Sequence, residues 1–523
     1  MQPIARDHYA ENGGTTLTVT VALLMLLLLL PALLRPTEFL PDDSYFYLQI
    51  ADHLRAGHGS TFHGITPTNG YHPLWMGGAV AAVVLADGDR QWTLHLVVAI
   101  QALLTLGTAL VFHRLARAMG LADWMAGLAI VLCYLLGTGL YASEAHLNAL
   151  LLTAGLWSLW HALANDRPRA WFVTGLLFGL AILARLDNLF VAGALCGLGV
   201  LHESKNRAPT MARRAAAATF GGLLVLAPYL AWNAVQYGHL MPISGAIKSI
   251  FPAFDFDLNR LGAMGKLAAP FGVLALVIGG WLDDALRRRV LWLGLGAGVV
   301  LHAVYVAGFT DHYTFWAWYY VSGVLAAGLC AAWLPGWVAK QLAPRRIADF
   351  ARPAAIAFTL LILVAGMGRA LLKAWNPLQL GPFAIDIPIN EYRWTEEFAH
   401  WLKAHLPPGS RLFTYDWPGA IAWHSGLAVL PMDGLMSDYR YNDDLLAMGA
   451  QAYLCAHDVR YFFGLVEEGS DTAIVPVRAP LTRQPAGELV LRADALVVKV
   501  RDVVSRPDAA LPFAVWRLDC PAP

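Results

Sequence analysis

The sequence predicts an α-helical membrane protein with many spanning helices and a small α/β domain after the last of them. Three observations lead to this fold class. Of the 523 residues 57% are hydrophobic and only 14% are charged, whereas soluble domains carry about 25% charged residues. The mean hydropathy is +0.50, and long apolar segments recur as far as residue 372. From about residue 373 the hydropathy falls and strand patterns begin. The formal net charge is zero, which argues against nucleic-acid binding.

Apolar segments and loop charges define the predicted membrane topology. A spanning helix needs roughly 20 apolar residues, and loops rich in Arg and Lys stay in the cytoplasm. Segment 17–35 has no small-residue cleavage site, so we expect a retained helix and not a signal peptide. If segment 72–86 also crossed, the first helix would violate the charge rule. We therefore expect 72–86 to be juxtamembrane or re-entrant; the alternative is that it crosses and the charge assignment is shifted by one.

This assignment gives about 11 spanning helices, with the N-terminus inside and the C-terminus outside. The apolar segments are 17–35, 72–86, 93–112, 124–140, 147–164, 171–184, 188–202, 216–236, 268–282, 290–308, 317–334 and 354–372.

The chain after residue 372 reads as a separate outer domain. We expect a transmembrane domain over 1–372, with a first periplasmic loop at 36–92, and an α/β domain over 373–523. Cys455 and Cys520 fall in the second part, and the sequence does not decide whether they form a disulfide. β-branched and aromatic runs predict strands at 411–416, 427–433, 459–466 and 496–500, and amphipathic patterns predict helices at 391–406 and 442–456.

Two adjacent acids stand where the chain leaves the first helix. Asp42 and Asp43 follow Pro41 and begin an aromatic helical stretch. One acid can cap this helix. Since neighbouring carboxylates repel each other, the cap does not explain the second. Partial desolvation at the bilayer edge and a like charge both raise the pKa of a carboxyl group. Such a carboxylate is a candidate general base.

The other loops predicted on the same side also carry ionisable groups. Each alone has a structural explanation, such as a loop ion pair, an interface anchor or a polar helix end. Together they predict an acidic centre ringed by cations at the level of the lipid headgroups, which suits a substrate with a lipid tail and a phosphate head. The groups are Glu144 with His146, Arg185 with Asp187, His239 with Ser244 and Lys248, and Asp311 with His312.

Several stretches resemble one enzyme family. Residues 42–75, DDSYFYLQIADHLRAGHGSTFHGITPTNGYHPLW, are similar to the first-loop signature of GT-C glycosyltransferases, above all arabinofuranosyl- and mannosyltransferase-like members. The resemblance spans about residues 15–320, with an outline similarity at 416–435. In the similar stretch at 142–152, Ser143 and Ala145 replace the usual Met and Thr of the family, so only Glu144 carries over. The further similar stretches are 142–152, 175–189 and 233–248.

The resemblance implies an inverting glycosyltransferase that uses a polyprenyl-phosphate sugar in cell-envelope glycan or glycolipid assembly. It implies a multi-pass protein of the bacterial inner membrane, with a glycan, lipid or protein as acceptor. Asp42, with Asp43 as substitute, would be the catalytic base. No cofactor is certain, and the acid pair could hold a divalent cation. The expected phosphate ligands are Arg185, Lys248 and His72, and the expected substrate contacts are Glu144, Asp187, His312 and Tyr71.

Two other functions fit a polytopic chain. A transporter usually shows paired repeats and ionisable residues near the bilayer midplane, and the sequence has neither. A non-catalytic sugar-binding membrane protein could stack sugars on tryptophans, although such residues are more often interface belts or core. The candidates for stacking are Trp316, Trp318, Trp417 and Trp423.

Overall fold

The computed structural model describes residues 23, 30–137, 142–202, 207–311, 316–342, 391–465, 472–505 and 513–520. A helical bundle occupies the first part of the chain and a sheet with flanking helices the last. The helices of the bundle are Leu30–Leu34, Asp42–Arg55, Pro73–Leu85, Arg90–Ala118, Trp124–Gly137, Ala145–Asn165, Pro168–Ala184, Asn188–Leu201, Arg207–Tyr237, Ile243–Lys248, Gly262–Val277, Leu286–Phe309 and Val321–Leu342.

The bundle confirms the predicted polytopic helical architecture. Six of the described helices are long and apolar enough to cross a membrane, judged by length and composition, and the protein is a multi-pass membrane protein. Four further apolar helices have 10–17 residues, so the total of 11 spans stays a prediction. Most of segment 17–35, all of segment 354–372 and the predicted boundary at 372/373 lie outside the described residues.

The helix Pro73–Leu85 corresponds to the segment whose topology was open. Its 13 residues span about 20 Å at 1.5 Å per residue, whereas the hydrocarbon core is about 30 Å thick. Proline in its first turn explains why the helix begins there. The buried indole of Trp75 donates a hydrogen bond to the carbonyl of Ala142 (2.9 Å). The length favours the juxtamembrane interpretation.

Small residues allow close packing inside the bundle. A Cβ atom at Gly175 would lie 1.9 Å from the carbonyl oxygen of Ala218, and one at Gly221 would lie 2.1 Å from that of Phe172. The helices Pro168–Ala184 and Arg207–Tyr237 therefore approach each other backbone to backbone.

The C-terminal region holds seven described strands. They are β1 Arg411–Thr414, β2 Ala428–Pro431, β3 Val459–Leu465, β4 Ala473–Arg478, β5 Pro485–Leu491, β6 Leu496–Lys499 and β7 Phe513–Arg517. Five of them form a sheet with strand order β2-β1-β3-β7-β6, and β4 and β5 form a separate hairpin. Strand β1 is parallel to both β2 and β3, and β7 is antiparallel to both β3 and β6. All four predicted strands are confirmed, whereas β4, β5 and β7 were not predicted.

The helices of this region are Glu391–His405, Pro418–Ser425, Tyr439–Met448 and Ala450–Ala456. The single helix predicted at 442–456 is wrong, because Gly449 with φ 78° ends one helix and begins the next. A disulfide joins Cys455 to Cys520.

The C-terminal region packs directly on the bundle. One hydrophobic cluster contains residues of both, among them Tyr45 and Ile50 of the first loop and Ile421 and Trp423 of the helix Pro418–Ser425. A second cluster fills the other side of the sheet. The shared core brings the ends of strands β1 and β2 to the first loop.

Candidate active site

The acid pair of the first loop lies where the bundle meets the C-terminal region. The helix Asp42–Arg55 has Pro41 as its N-cap residue and no side-chain cap. Asp42 instead binds the first turn of the helix Pro418–Ser425. Its carboxylate oxygens accept hydrogen bonds from the backbone N–H groups of Gly419 (3.1 Å) and Ala420 (2.7 Å). Asp42 thus caps the N-terminus of a distant helix, where the helix dipole favours a negative charge. Burial nevertheless raises the pKa of its carboxyl group well above the usual range, an effect that the hydrogen bonds from Ala420 and Gly419 oppose.

Asp43 has a different environment. Its side chain reaches solvent but is surrounded by protein, and this desolvation raises the pKa of its carboxyl group. Lys248 lowers this pKa, while Glu144 and Asp416 raise it. Asp43 therefore is an accessible carboxylate with an elevated proton affinity.

Arg185 lies at the centre of a buried ion cluster. Its side chain is 2% exposed, donates to Glu144 Oε1 and makes bidentate contact with Asp187, the shortest at 2.8 Å. Tyr47 donates to the other oxygen of Glu144 (3.2 Å), and the guanidinium group lies 4.0 Å from the ring centre of Tyr319. Two carboxylates already compensate the charge of Arg185. The predicted loop ion pair between Arg185 and Asp187 is therefore present, and Glu144 joins it.

Lys248 has free hydrogen-bonding capacity. Within the described ranges its ammonium group makes one side-chain hydrogen bond, to the hydroxyl of Tyr319 (2.9 Å), and an ammonium group has three donors. Its charge interacts with those of Asp43 and Asp433. Lys248 is thus the predicted phosphate ligand whose charge and donors are most available.

The remaining predicted site residues are His72, Tyr71 and His312. His72 Nε2 lies 3.9 Å from Glu144, so His72 adjoins the ion cluster, but burial lowers its pKa to about 4. It is neutral at neutral pH and cannot supply a positive charge. The hydroxyl of Tyr71 bonds to Ser60 (2.8 Å), and His312 lies outside the described residues.

Several residues of the loops predicted to lie outside make contacts elsewhere. His146 bonds to Thr105, His239 stacks on Tyr439, and Asp311 pairs with Arg483 of the C-terminal region.

Two acids of the C-terminal region complete the cluster and were not predicted as site residues. Asp416 and Asp433 follow the carboxyl ends of the parallel strands β1 and β2. Both side chains reach solvent, yet the surrounding protein raises the pKa of Asp416, and that of Asp433 to about 6. Asp43 interacts electrostatically with both. The available signal was positional, since each acid is the last residue of a predicted strand and α/β sheets commonly bind ligands at the carboxyl ends of their strands.

No protein-family model and no curated protein matches the chain. Among solved structures, ArnT from Cupriavidus metallidurans in the apo state is similar, with a TM-score of 0.50 and 15% identity over 93% of this chain and 99% of that one. The chain has the GT-C fold. The resemblance drawn from the sequence motifs is confirmed at the level of this fold.

Two further structures with the GT-C fold align less closely. ArnT from Cupriavidus metallidurans bound to undecaprenyl phosphate gives a TM-score of 0.47 at 16% identity, covering 80% of this chain and 86% of that one. Arabinofuranosyltransferase AftD from Mycobacteria gives 0.43 at 15%, covering 86% of this chain and 35% of AftD.

Proposed function

We propose that the protein is an inverting glycosyltransferase that moves a sugar from a polyprenyl-phosphate donor to an acceptor hydroxyl group. The observation that carries the proposal is that the accessible carboxylate of Asp43 lies within electrostatic range of the ammonium group of Lys248, about 200 residues later in the chain, on a GT-C fold. A base and a cation that act on the same site are what transfer from a phosphate leaving group requires.

In the proposed reaction Asp43 accepts the proton of the acceptor hydroxyl group. The hydroxyl oxygen attacks the anomeric carbon while the bond from that carbon to the phosphate oxygen breaks. Polyprenyl phosphate leaves with the bonding electron pair, and Lys248 stabilises its negative charge. A single displacement of this kind inverts the anomeric configuration. No step is routed through a metal ion.

The structure supports a different division of labour between the two acids from the one expected. Both carboxylate oxygens of Asp42 accept backbone hydrogen bonds, so we assign Asp43 as the base and Asp42 as a positioning residue. Arg185 was expected to bind the donor phosphate. Because Glu144 and Asp187 neutralise it, we assign it to positioning Glu144 and Tyr319. Asp416 and Asp433, whose side chains reach solvent, then remain to contact sugar hydroxyl groups.

The donor class and the location follow from the same features. ArnT, whose apo form shares the fold, is a protein crystallised with undecaprenyl phosphate, and we assign a donor lipid of this chemical class here. The disulfide Cys455–Cys520 suits an oxidising compartment. Together with the positive loops, it supports a C-terminal region on the periplasmic side of a bacterial inner membrane and a role in cell-envelope assembly.

The test is release of polyprenyl phosphate, the product common to every sugar and acceptor. Detergent-purified protein receives a panel of polyprenyl-phosphate hexoses and pentoses with membrane extract as acceptor, and mass spectrometry quantifies the product. Asp43→Asn should lower the rate by a factor of about 10²–10⁴, the usual contribution of a general base. The matched control is Asp87→Asn, an exposed acid outside the cluster, which should leave the rate unchanged.

Full turnover in Asp43→Asn would remove Asp43 from the mechanism. A wild-type protein that consumes no donor of the panel but carries solute into proteoliposomes would instead indicate a transporter. Sugar binding without turnover would indicate the non-catalytic alternative.

A further inference from the structure

A group of three potential metal ligands lies apart from the acid cluster. The side-chain ligand atoms of Glu396, His400 and His424 all lie within 4.8 Å of one another. Glu396 and His400 are four residues apart on the helix Glu391–His405, so both project from one face of it. His424 stands in the last turn of the helix Pro418–Ser425. Two helices thus present one carboxylate and two imidazoles to a common point.

The three side chains are available as ligands. Within the described ranges none of them makes a side-chain hydrogen bond to another residue. Aromatic rings surround the imidazoles, and Arg90 lies within electrostatic range of His424. His424 meets the ring of Tyr45 edge to face at 5.2 Å and that of His400 at 6.1 Å. His400 is exposed and the other two are half-buried, so a metal ion could enter from solvent and keep a water ligand.

We propose that Glu396, His400 and His424 form a Zn²⁺ site with water in the fourth position. Two imidazoles and a carboxylate favour Zn²⁺ over the oxygen-seeking Mg²⁺ and Ca²⁺. Zinc binds such ligands at about 2.0–2.2 Å, which places tetrahedral ligand atoms about 3.4 Å apart. No separation therefore has to shorten by more than roughly 1.4 Å, which rotation of the exposed His400 side chain can supply.

The site would join two helices of the C-terminal region, one of which packs on the bundle. A bound ion ties the helix Glu391–His405 to the helix Pro418–Ser425, and the opposite end of the latter holds Asp42. Arg90 of the bundle contacts the neighbouring residue Trp423, both at its carbonyl oxygen and over its ring. Metal binding therefore braces the helix on which the first loop is docked, independently of the reaction proposed above.

The experiment measures metal content and not activity, so its outcome is separate from that of the proposed transferase. The full chain is purified in detergent through a tag without histidines, supplied with Zn²⁺ and desalted, and zinc is counted by plasma mass spectrometry. The wild type should retain about one zinc per chain and melt at a higher temperature with Zn²⁺ than after chelation. His400→Ala and Glu396→Gln should lose both the zinc and the thermal shift.

His405→Ala is the matched control. His405 is an exposed histidine on the same helix, held to the carbonyl of Trp401, and its variant should bind zinc like the wild type. Equal zinc retention in His400→Ala and His405→Ala, or no zinc in the wild type, would overturn the site. Because His400 is exposed, its replacement leaves the packed core intact and a lost shift reports the metal.

Discussion

Arg185→Met tests whether the buried ion cluster depends on its single guanidinium group. The substitution keeps much of the side-chain volume but removes the charge between Glu144 and Asp187, whose side chains are 4% and 14% exposed. Burial raises the pKa of Asp187, but Arg185 and His302 hold it well below its usual range. Without the arginine, Glu144 and Asp187 lose the cation that they share. Breaking a buried pair in this way costs about 3–5 kcal/mol.

The assay is the free energy of unfolding from denaturant titration in detergent micelles, followed by tryptophan fluorescence. The matched control is Arg213→Met, which breaks an ion pair with Asp166 whose side chains are 51% and 34% exposed. An exposed pair of this kind is worth about 0–1 kcal/mol. Combining Arg185→Met with Glu144→Gln should recover part of the loss, because it removes one of the uncompensated charges. If both arginine variants lost the same free energy, the cluster would not be a buried electrostatic unit.

Three further outcomes follow from other contacts. Desolvation by the surrounding protein raises the pKa of Asp433 to about 6. The folded state therefore loses stability as the pH rises from about 4, the pKa of the unfolded chain, to about 6. Asp433→Asn should raise the melting temperature at pH 8 and not at pH 4, and an equal effect at both would contradict this. Cys455→Ser opens a disulfide across 65 residues and should cost about 4 kcal/mol, matched by reductant on the wild type but absent if the thiols are already reduced. Gly419→Ala places a Cβ atom 2.4 Å from the carbonyl oxygen of Asp42 and should expose the first loop to limited proteolysis, whereas Gly193→Ala, with nothing within 4 Å, should not; equal cleavage would argue against this contact.

Hydropathy and strand patterns predicted the helical bundle and four strands of the C-terminal sheet. Apolar segments located the long described helices of the bundle, because a membrane chain must keep its backbone hydrogen bonds inside helices. β-branched and aromatic runs located β1, β2, β3 and β6. The hairpin strands β4 and β5 escaped because Pro476 and Gly487 interrupt them, and both residue types weaken a strand pattern. Strand β7 has only five residues, four of them buried, and so lacks the alternation that marks a half-buried strand.

The individual roles in the site could not be obtained from spacing. Sequence placed Asp42 and Asp43 together at a helix start but could not separate them, because the partner of Asp42 is a helix more than 370 residues later. It likewise gave Arg185 a positive charge without showing that Glu144 and Asp187 would neutralise it. Asp416 and Asp433 join the cluster only because the sheet docks with its strand ends toward the first loop. Tertiary contacts decided each of these points.

The contact between Asp42 and Ala420 also has a consequence for biosynthesis. These two residues are 378 positions apart in the chain, and at about 5–20 residues per second the ribosome needs roughly 20–75 s to make that interval. During that time the carboxylate of Asp42 lacks its hydrogen-bond donors, the backbone amides of Gly419 and Ala420. The candidate site is therefore incomplete until translation is almost finished, and truncation before residue 419 removes both amide partners of Asp42.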